Sequence, residues 1–141
     1  VENITAIDIS KAMNNVLKSK KKSIACHLDI IEIDLTKEDL RLKFNGIISS
    51  MTIHHVKDVV QLFEKFYNLL NENGTIAIAD LDKEDGTFHK IDTGVFHHGF
   101  DREEFVRIAK SVGFKNLKIQ TVGFVEKPYG KYPVFLLTGS K

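Results

Sequence analysis

The stretch FNGIISSMTIHHVKD, residues 44–58, runs from an apolar segment through two serines into adjacent histidines, just ahead of a helical pattern. Its core, NGIISSM at 45–51, is nearly apolar and too short for a helix, which predicts a strand buried on both faces of a parallel sheet. Downstream, Val59, Leu62, Phe63, Phe66, Leu69 and Leu70 recur at i, i+3, i+4 spacing, so residues 59–70 form a helix packed on that sheet. Asn73-Gly74 supplies a turn, and TIAIA at 75–79 a further strand ending at Asp80. This strand–helix–strand unit sets the expected class, α/β with parallel pairing.

Toward the N-terminus the same alternation continues. VENITAIDI, residues 1–9, reads as a strand whose apolar run ends at Asp8. Ser10 is a good N-cap for an amphipathic helix, SKAMNNVLKSK, with Ala12, Met13, Val16 and Leu17 at helical spacing. SIACHL at 23–28 is a second strand ending at Asp29, and a polar segment covers 32–43. Toward the C-terminus, residues 81–100 form a loop rich in aromatics and histidines. Asp101 then caps a helix over 103–111 with Glu104 three residues on, and Gly113 ends it. Strands at 117–125 and 133–138, joined through 128–133, suit an antiparallel hairpin. No internal repeat or low-complexity segment interrupts this order.

The 141 residues, 43% hydrophobic, fit one domain with a core. Twenty basic and nineteen acidic side chains leave a formal charge of +1, which argues against a nucleic-acid binder driven by a basic surface. KSKKK at 18–22 reads as a solvated loop at a helix end. The single cysteine, Cys26, excludes an internal disulfide and points to a reducing compartment. No apolar stretch approaches a membrane span, so a soluble cytoplasmic protein without a membrane partner is expected. The first residue is Val1, and it opens almost directly onto a strand. The chain is therefore expected to be the later part of a longer one.

In open α/β sheets, ligands bind beyond the carboxyl ends of the strands. Asp8, Asp29 and Asp80 end three of the strands read here, and Ser49-Ser50 end the strand between the last two, which together form a candidate rim. A carboxylate at the end of an early strand is suited to accept hydrogen bonds from ribose hydroxyls, and Asp8 fits that role. Asp29 fits an acceptor for the exocyclic amine of an adenine. The competing reading is that aspartates at strand ends are turn-formers facing water.

At this point the residues resemble a known family. AIDISKAM at 6–13, LDI at 28–30, FNGIISSMTIHHVKD at 44–58, TIAIADLD at 75–82 and GFDREEFVRIAKSVGF at 99–114 look like a class I S-adenosylmethionine-dependent methyltransferase of the small-molecule branch. The resemblance covers essentially the whole chain. It implies a Rossmann-like sheet, mostly parallel with an antiparallel C-terminal strand pair, in the order 3-2-1-4-5-7-6, the strands read here being 2 to 7. It implies S-adenosylmethionine as cofactor, with Asp8 on the ribose and Ile9 beside the adenine. It further implies that Asp29 and Ile30 frame the adenine, and that Ser50 and Met51 lie near the methyl group. The expected reaction is in-line methyl transfer to a small-molecule acceptor, whose identity and any oligomeric state the sequence leaves open.

The resemblance lacks one part: the family's first strand and glycine-rich loop have no counterpart, and no G-x-G run occurs among the nine glycines. That strand lies mid-sheet, so its absence would leave unpaired backbone on both sides. The N-terminal strand is thus expected in a segment upstream. A non-catalytic binding or regulatory protein keeping the fold is the alternative, and a nicotinamide-dependent oxidoreductase a third, without a visible Tyr-Lys arrangement.

His54 and His55 stand where the family has a similar pair. One could face the acceptor as a proton acceptor, making both candidate catalytic residues; the preferred reading is that one packs to organise the turn. No metal is expected. Neighbouring side chains diverge on strands and helices, so adjacent histidines chelate poorly. With His89, His97 and His98 they offer no i, i+4 pair, and no carboxylate completes a known pattern. Phe88, Phe96 and Phe100 are equally suited to anchor the loop or to touch substrate.

Overall fold

The computed structural model describes residues 1–89 and 94–141; the part of the expected 81–100 loop at 90–93 lies outside the described residues. The chain divides into two compact units, Val1–Leu40 and Arg41–Lys141. Each is taken by itself.

In the first unit, β1 (Asn3–Ile7) and β2 (His27–Ile31) pair in parallel around α1 (Lys11–Lys20). Ser10 caps α1 as expected, its hydroxyl accepting from Met13 N at 3.3 Å. The apolar stripe is not the buried one, however. Met13 and Val16 are exposed, and the buried position is Asn14, whose amide donates to Asp8 O at 3.0 Å. The helix is thereby tied to the end of β1 by a side-chain hydrogen bond rather than by packing of its apolar residues.

The second unit holds a four-stranded sheet in the order β3-β4-β6-β5, from β3 (Phe44–Ser50), β4 (Leu70–Leu81), β5 (Lys115–Lys127) and β6 (Gly130–Ser140). β3 and β4 are parallel; β6 runs antiparallel to both of its neighbours. The pairs β2-β1 and β3-β4-β6-β5 reproduce the two sides of the expected strand order. Among the described residues, β1 pairs only with β2 and β3 only with β4. Burial of β3 on both faces does not hold here: it is an edge strand, and Ile48 is 84% exposed.

Helices α2 (Val59–Leu69) and α3 (Arg102–Val112) pack on the sheet through a ladder of rings. Phe63 meets Phe105 edge-on at 5.3 Å, and Phe105 meets Phe135 of β6 at 5.1 Å, an arrangement that adds quadrupole attraction to apolar burial. Both helix starts are capped by aspartate, Asp58 onto Gln61 N and Asp101 onto Glu104 N, each at 2.9 Å. α3 stops at Gly113, whose φ of 117° a side chain would resist. Asn73-Gly74 makes no separate turn before β4. α2 passes straight into that strand, and the irregularity falls within it, with Asn73 at φ 62° and a register shift against β3. The hairpin link is also tighter than expected, since β5 and β6 leave only Pro128 and Tyr129 between them.

Arg102, the first residue of α3, fixes this helix to the sheet by a fork. Its Nε and Nη2 each donate to Asp82 at 2.6 Å, and Nη2 also reaches Thr121 Oγ1 at 2.7 Å. A lysine cannot reproduce a two-pronged contact. Arg102→Lys is expected to cost about 1 kcal/mol, since part-exposed charged hydrogen bonds of this kind carry roughly that much apiece. Chemical denaturation of the two proteins measures it, and an unchanged midpoint would show that the fork contributes nothing.

Candidate functional site

The exit of β3 is built around one buried carboxylate. β4 alternates so that Ile76, Ile78 and Asp80 share its buried face, and Asp80 is fully buried. A carboxylate there is tolerable only if donors surround it. Oδ2 accepts from Ile53 N at 2.9 Å and His54 N at 3.3 Å; Oδ1 accepts from Leu81 N at 2.8 Å and meets His54 Nδ1 at 2.6 Å. Because the carboxylate oxygens are the acceptors, Nδ1 of His54 donates, and in the neutral ring the lone pair sits on Nε2. Asp80 is thus no member of a solvent-facing rim: it clamps the turn after β3 onto the end of β4.

That turn begins at Met51, which ends the strand in a left-handed conformation, φ 54°, with its N–H on Ala79 O at 2.9 Å. Ser50 is exposed, while Met51 is half-buried against the cluster of Leu81, Phe88 and Tyr132. Residues Ile53–His55 then make one tight 3-10 turn. Divergence of the two histidines, expected for a regular strand or helix, does not occur in this turn: their rings lie 4.4 Å apart. His54 is only 2% exposed, whereas His55 is open to solvent.

A third imidazole joins them from the loop. The ring of His89 lies 5.4 Å from that of His54 and 5.8 Å from that of His55. One ring nitrogen from each residue falls within 4.8 Å of the others. Burial pushes the His89 imidazole below its usual protonation range, and the neighbouring His54, His55 and Lys127 push the same way. The absence of i, i+4 spacing in the sequence therefore did not keep three histidines apart.

The segment after the undescribed residues folds back onto this turn. Phe96 N and His97 N both donate to His54 O, at 3.0 and 3.1 Å, and His97 Nε2 donates to Val56 O at 3.0 Å. His98 is exposed beside Glu84 at 3.5 Å. Phe88 and Phe100 are buried anchors, against Tyr132 and Phe105 respectively, and Phe96 is exposed. The aromatics of the loop thus divide into two that hold it and one that faces outward.

In the first unit, Asp8 stands just beyond β1, exposed, with Oδ1 accepting from Ser10 N at 2.7 Å, and exposed Ile9 follows it. Asp29 requires a correction. β2 begins later than the apolar run suggested and reaches Ile31, so Asp29 lies mid-strand opposite Thr5 and bonds to His27 at 3.1 Å; Ile30 beside it is half-buried opposite Ala6. The acids beyond the strand's carboxyl end are Glu32 and Asp34. Hydrogen bonds from the Thr36 hydroxyl, then from Lys37, lower the Asp34 carboxyl to about 2, so it stays ionised.

Within each unit, the strand order is that of a Rossmann-like α/β sheet. Residues 2–76 match the family model described as a methyltransferase domain, and the chain belongs to that family. It is 29% identical to an uncharacterized methyltransferase of Schizosaccharomyces pombe, over 82% of this chain and 47% of that one. It is 27% identical to phosphoethanolamine N-methyltransferase 1 of Zea mays, over 81% of this chain and 24% of that one. Among solved structures, phosphoethanolamine N-methyltransferase 2 of Haemonchus contortus, in complex with phosphomonomethylethanolamine and S-adenosylhomocysteine, superposes with a TM-score of 0.80 at 16% identity, over 99% of this chain and 44% of that one. The chain therefore spans about half or less of the curated relatives it matches. No described helix is long and apolar enough to cross a membrane.

Proposed function

We propose that the protein transfers a methyl group from S-adenosylmethionine to a small-molecule acceptor. Membership of the methyltransferase domain family carries this reading. The chain reads as one such domain. The bound cofactor supplies an electron-poor methyl group; the protein's part is to orient two ligands and exclude water. Asp8 fits the adenosine half, because its carboxylate is exposed beyond β1 while a backbone N–H holds its orientation. Ile9 offers an apolar surface for the base. Of the two acids beyond β2, Asp34 fits the adenine-side role expected of Asp29 and Ile30, because hydrogen bonds from Thr36 and Lys37 hold it ionised and oriented. Ser50 and Met51 are assigned to the methyl-bearing end. Of the two histidines, exposed His55 is the one available to an acceptor; His54 is buried, with its Nδ1 on Asp80.

Calorimetric titration of the full-length protein with S-adenosylmethionine tests this. Asp8→Ala removes two charge-assisted hydrogen bonds to the ribose, together about 3 kcal/mol, and is expected to weaken binding roughly 100-fold. Unchanged affinity in the variant would remove Asp8 from the site. A full-length protein whose melting temperature rises with a nicotinamide dinucleotide and not with S-adenosylmethionine would overturn the reading itself.

A further inference from the structure

His54, His55 and His89 come from two separate parts of the chain and bring their ring nitrogens to within 4.8 Å of one another. We propose that they bind a divalent transition-metal ion of the zinc class through three imidazole nitrogens, leaving a coordination position open. The proposal does not require methyl transfer, although a bound ion would take the His55 ring nitrogen that an acceptor could otherwise reach.

The donor set selects the ion. Three neutral nitrogens suit zinc, cobalt or nickel and do not suit calcium or magnesium, which take oxygen ligands. His54 has the second interaction that metal-binding histidines characteristically have: a carboxylate on its other ring nitrogen, here Asp80 at 2.6 Å. That contact fixes the tautomer, directs Nε2 away from Asp80 and holds the buried ring in one orientation. His55 follows the same logic more loosely, with Nδ1 lying 3.4 Å from Gly94 O.

The spacing is compatible with closure onto an ion. Nitrogens at the corners of a triangle 4.8 Å on a side lie about 2.8 Å from its centre. With His54 held by Asp80, zinc–nitrogen bonds of about 2.1 Å need an inward movement of about 1 Å by each of the His55 and His89 rings. His54 is held by Asp80, so the closing movement falls to exposed His55 and to His89, which stands on the loop outside the buried clamp. The neighbouring histidines are otherwise engaged: His97 Nε2 is on Val56 O, and His98 lies beside Glu84. Three ligands leave the fourth tetrahedral position for water or for a lone-pair donor on a small molecule.

The test is titration of untagged, chelator-treated full-length protein with zinc by calorimetry and with cobalt(II) by visible spectroscopy. One ion per chain is expected, with micromolar or tighter zinc affinity and the intense visible bands of tetrahedral cobalt. His55→Ala and His89→Ala, both outside the buried clamp, are each expected to weaken zinc binding at least roughly 100-fold, because even loss of an outer partner costs 10 to 100-fold. His98→Ala is expected to leave affinity within about 2-fold, its ring lying outside the triad. A melting curve without metal establishes that each variant is folded, and either ligand variant alone suffices. Absence of zinc binding up to millimolar concentration, a weak octahedral cobalt spectrum, or wild-type affinity in a folded ligand variant would overturn the proposal.

Discussion

Gly99→Ala is expected to be among the most damaging single substitutions in the chain, costing about 4 kcal/mol. Two penalties combine at this position. Gly99 has φ +68°, where a Cβ costs roughly 1–2 kcal/mol. An added Cβ would also overlap the carbonyl oxygen and carbon of Asp82, which are backbone atoms and cannot rotate away. Overpacking of that kind costs about 1–3 kcal/mol, and rigid neighbours put it at the upper end. The close approach exists because residues 98–100 pair in parallel with residues 81–84: Phe100 N donates to Leu81 O and Lys83 N to Phe100 O, both at 2.9 Å, while Glu84 N donates to His98 O at 2.9 Å. Moving Gly99 away would break this parallel bridge and withdraw Phe100 from Phe105. Gly94→Ala is the matched control, since Gly94 has φ +72° with, among the described residues, no atom within 4 Å of its Cβ position, and should cost only about 1 kcal/mol. Thermal unfolding should separate the two by roughly 10 °C. Equal losses would mean that the left-handed conformation, and not the contact with Asp82, is what requires glycine.

The parallel bridge beside Gly99 also marks where sequence pattern ceases to be informative. Elements defined by their own residues were legible: the period of α2, the caps of α3 at Asp101 and Gly113, and the two C-terminal strands all lie where local chemistry puts them. Features set by a partner elsewhere in the chain were not. SIACHL looked like a strand from its apolar character, but pairing with β1 selects HLDII, and that shift moves Asp29 from the strand's end to its middle. Met51 adopts φ 54° without being Gly or Asn, so nothing in its type announces the sharp turn. Divergence of His54 and His55 follows from the geometry of regular elements, and the 3-10 turn at Ile53–His55 is not one of them. His89 reaches the pair through a loop, a juxtaposition no local spacing encodes. Asp80 did leave a signal. The alternation in TIAIAD puts it on the face of Ile76 and Ile78, and a carboxylate on a buried face implies donors converging from elsewhere.

Those donors make Asp80→Ala the second large loss, again about 4 kcal/mol. The substitution leaves the N–H groups of Ile53, His54 and Leu81, and the Nδ1–H of His54, without their acceptor in a region closed to water. Each stranded buried donor costs roughly 1–3 kcal/mol, though relaxation and water entry recover part of the sum. Asp80→Asn separates shape from charge. The amide keeps one acceptor oxygen but turns an NH2 toward donors that need an acceptor, so the loss should be about 2–3 kcal/mol despite near-identical volume. The damage should also be local, because Asp80 joins β4 to the turn carrying both histidines. Amide hydrogen exchange in Asp80→Asn is expected to accelerate at residues 52–56, with α3 and β5 little changed. Uniform acceleration across the second unit would show that Asp80 supports the sheet as a whole and not the histidine turn in particular. A variant as stable as the wild type would mean that its four hydrogen bonds do not hold that turn in place.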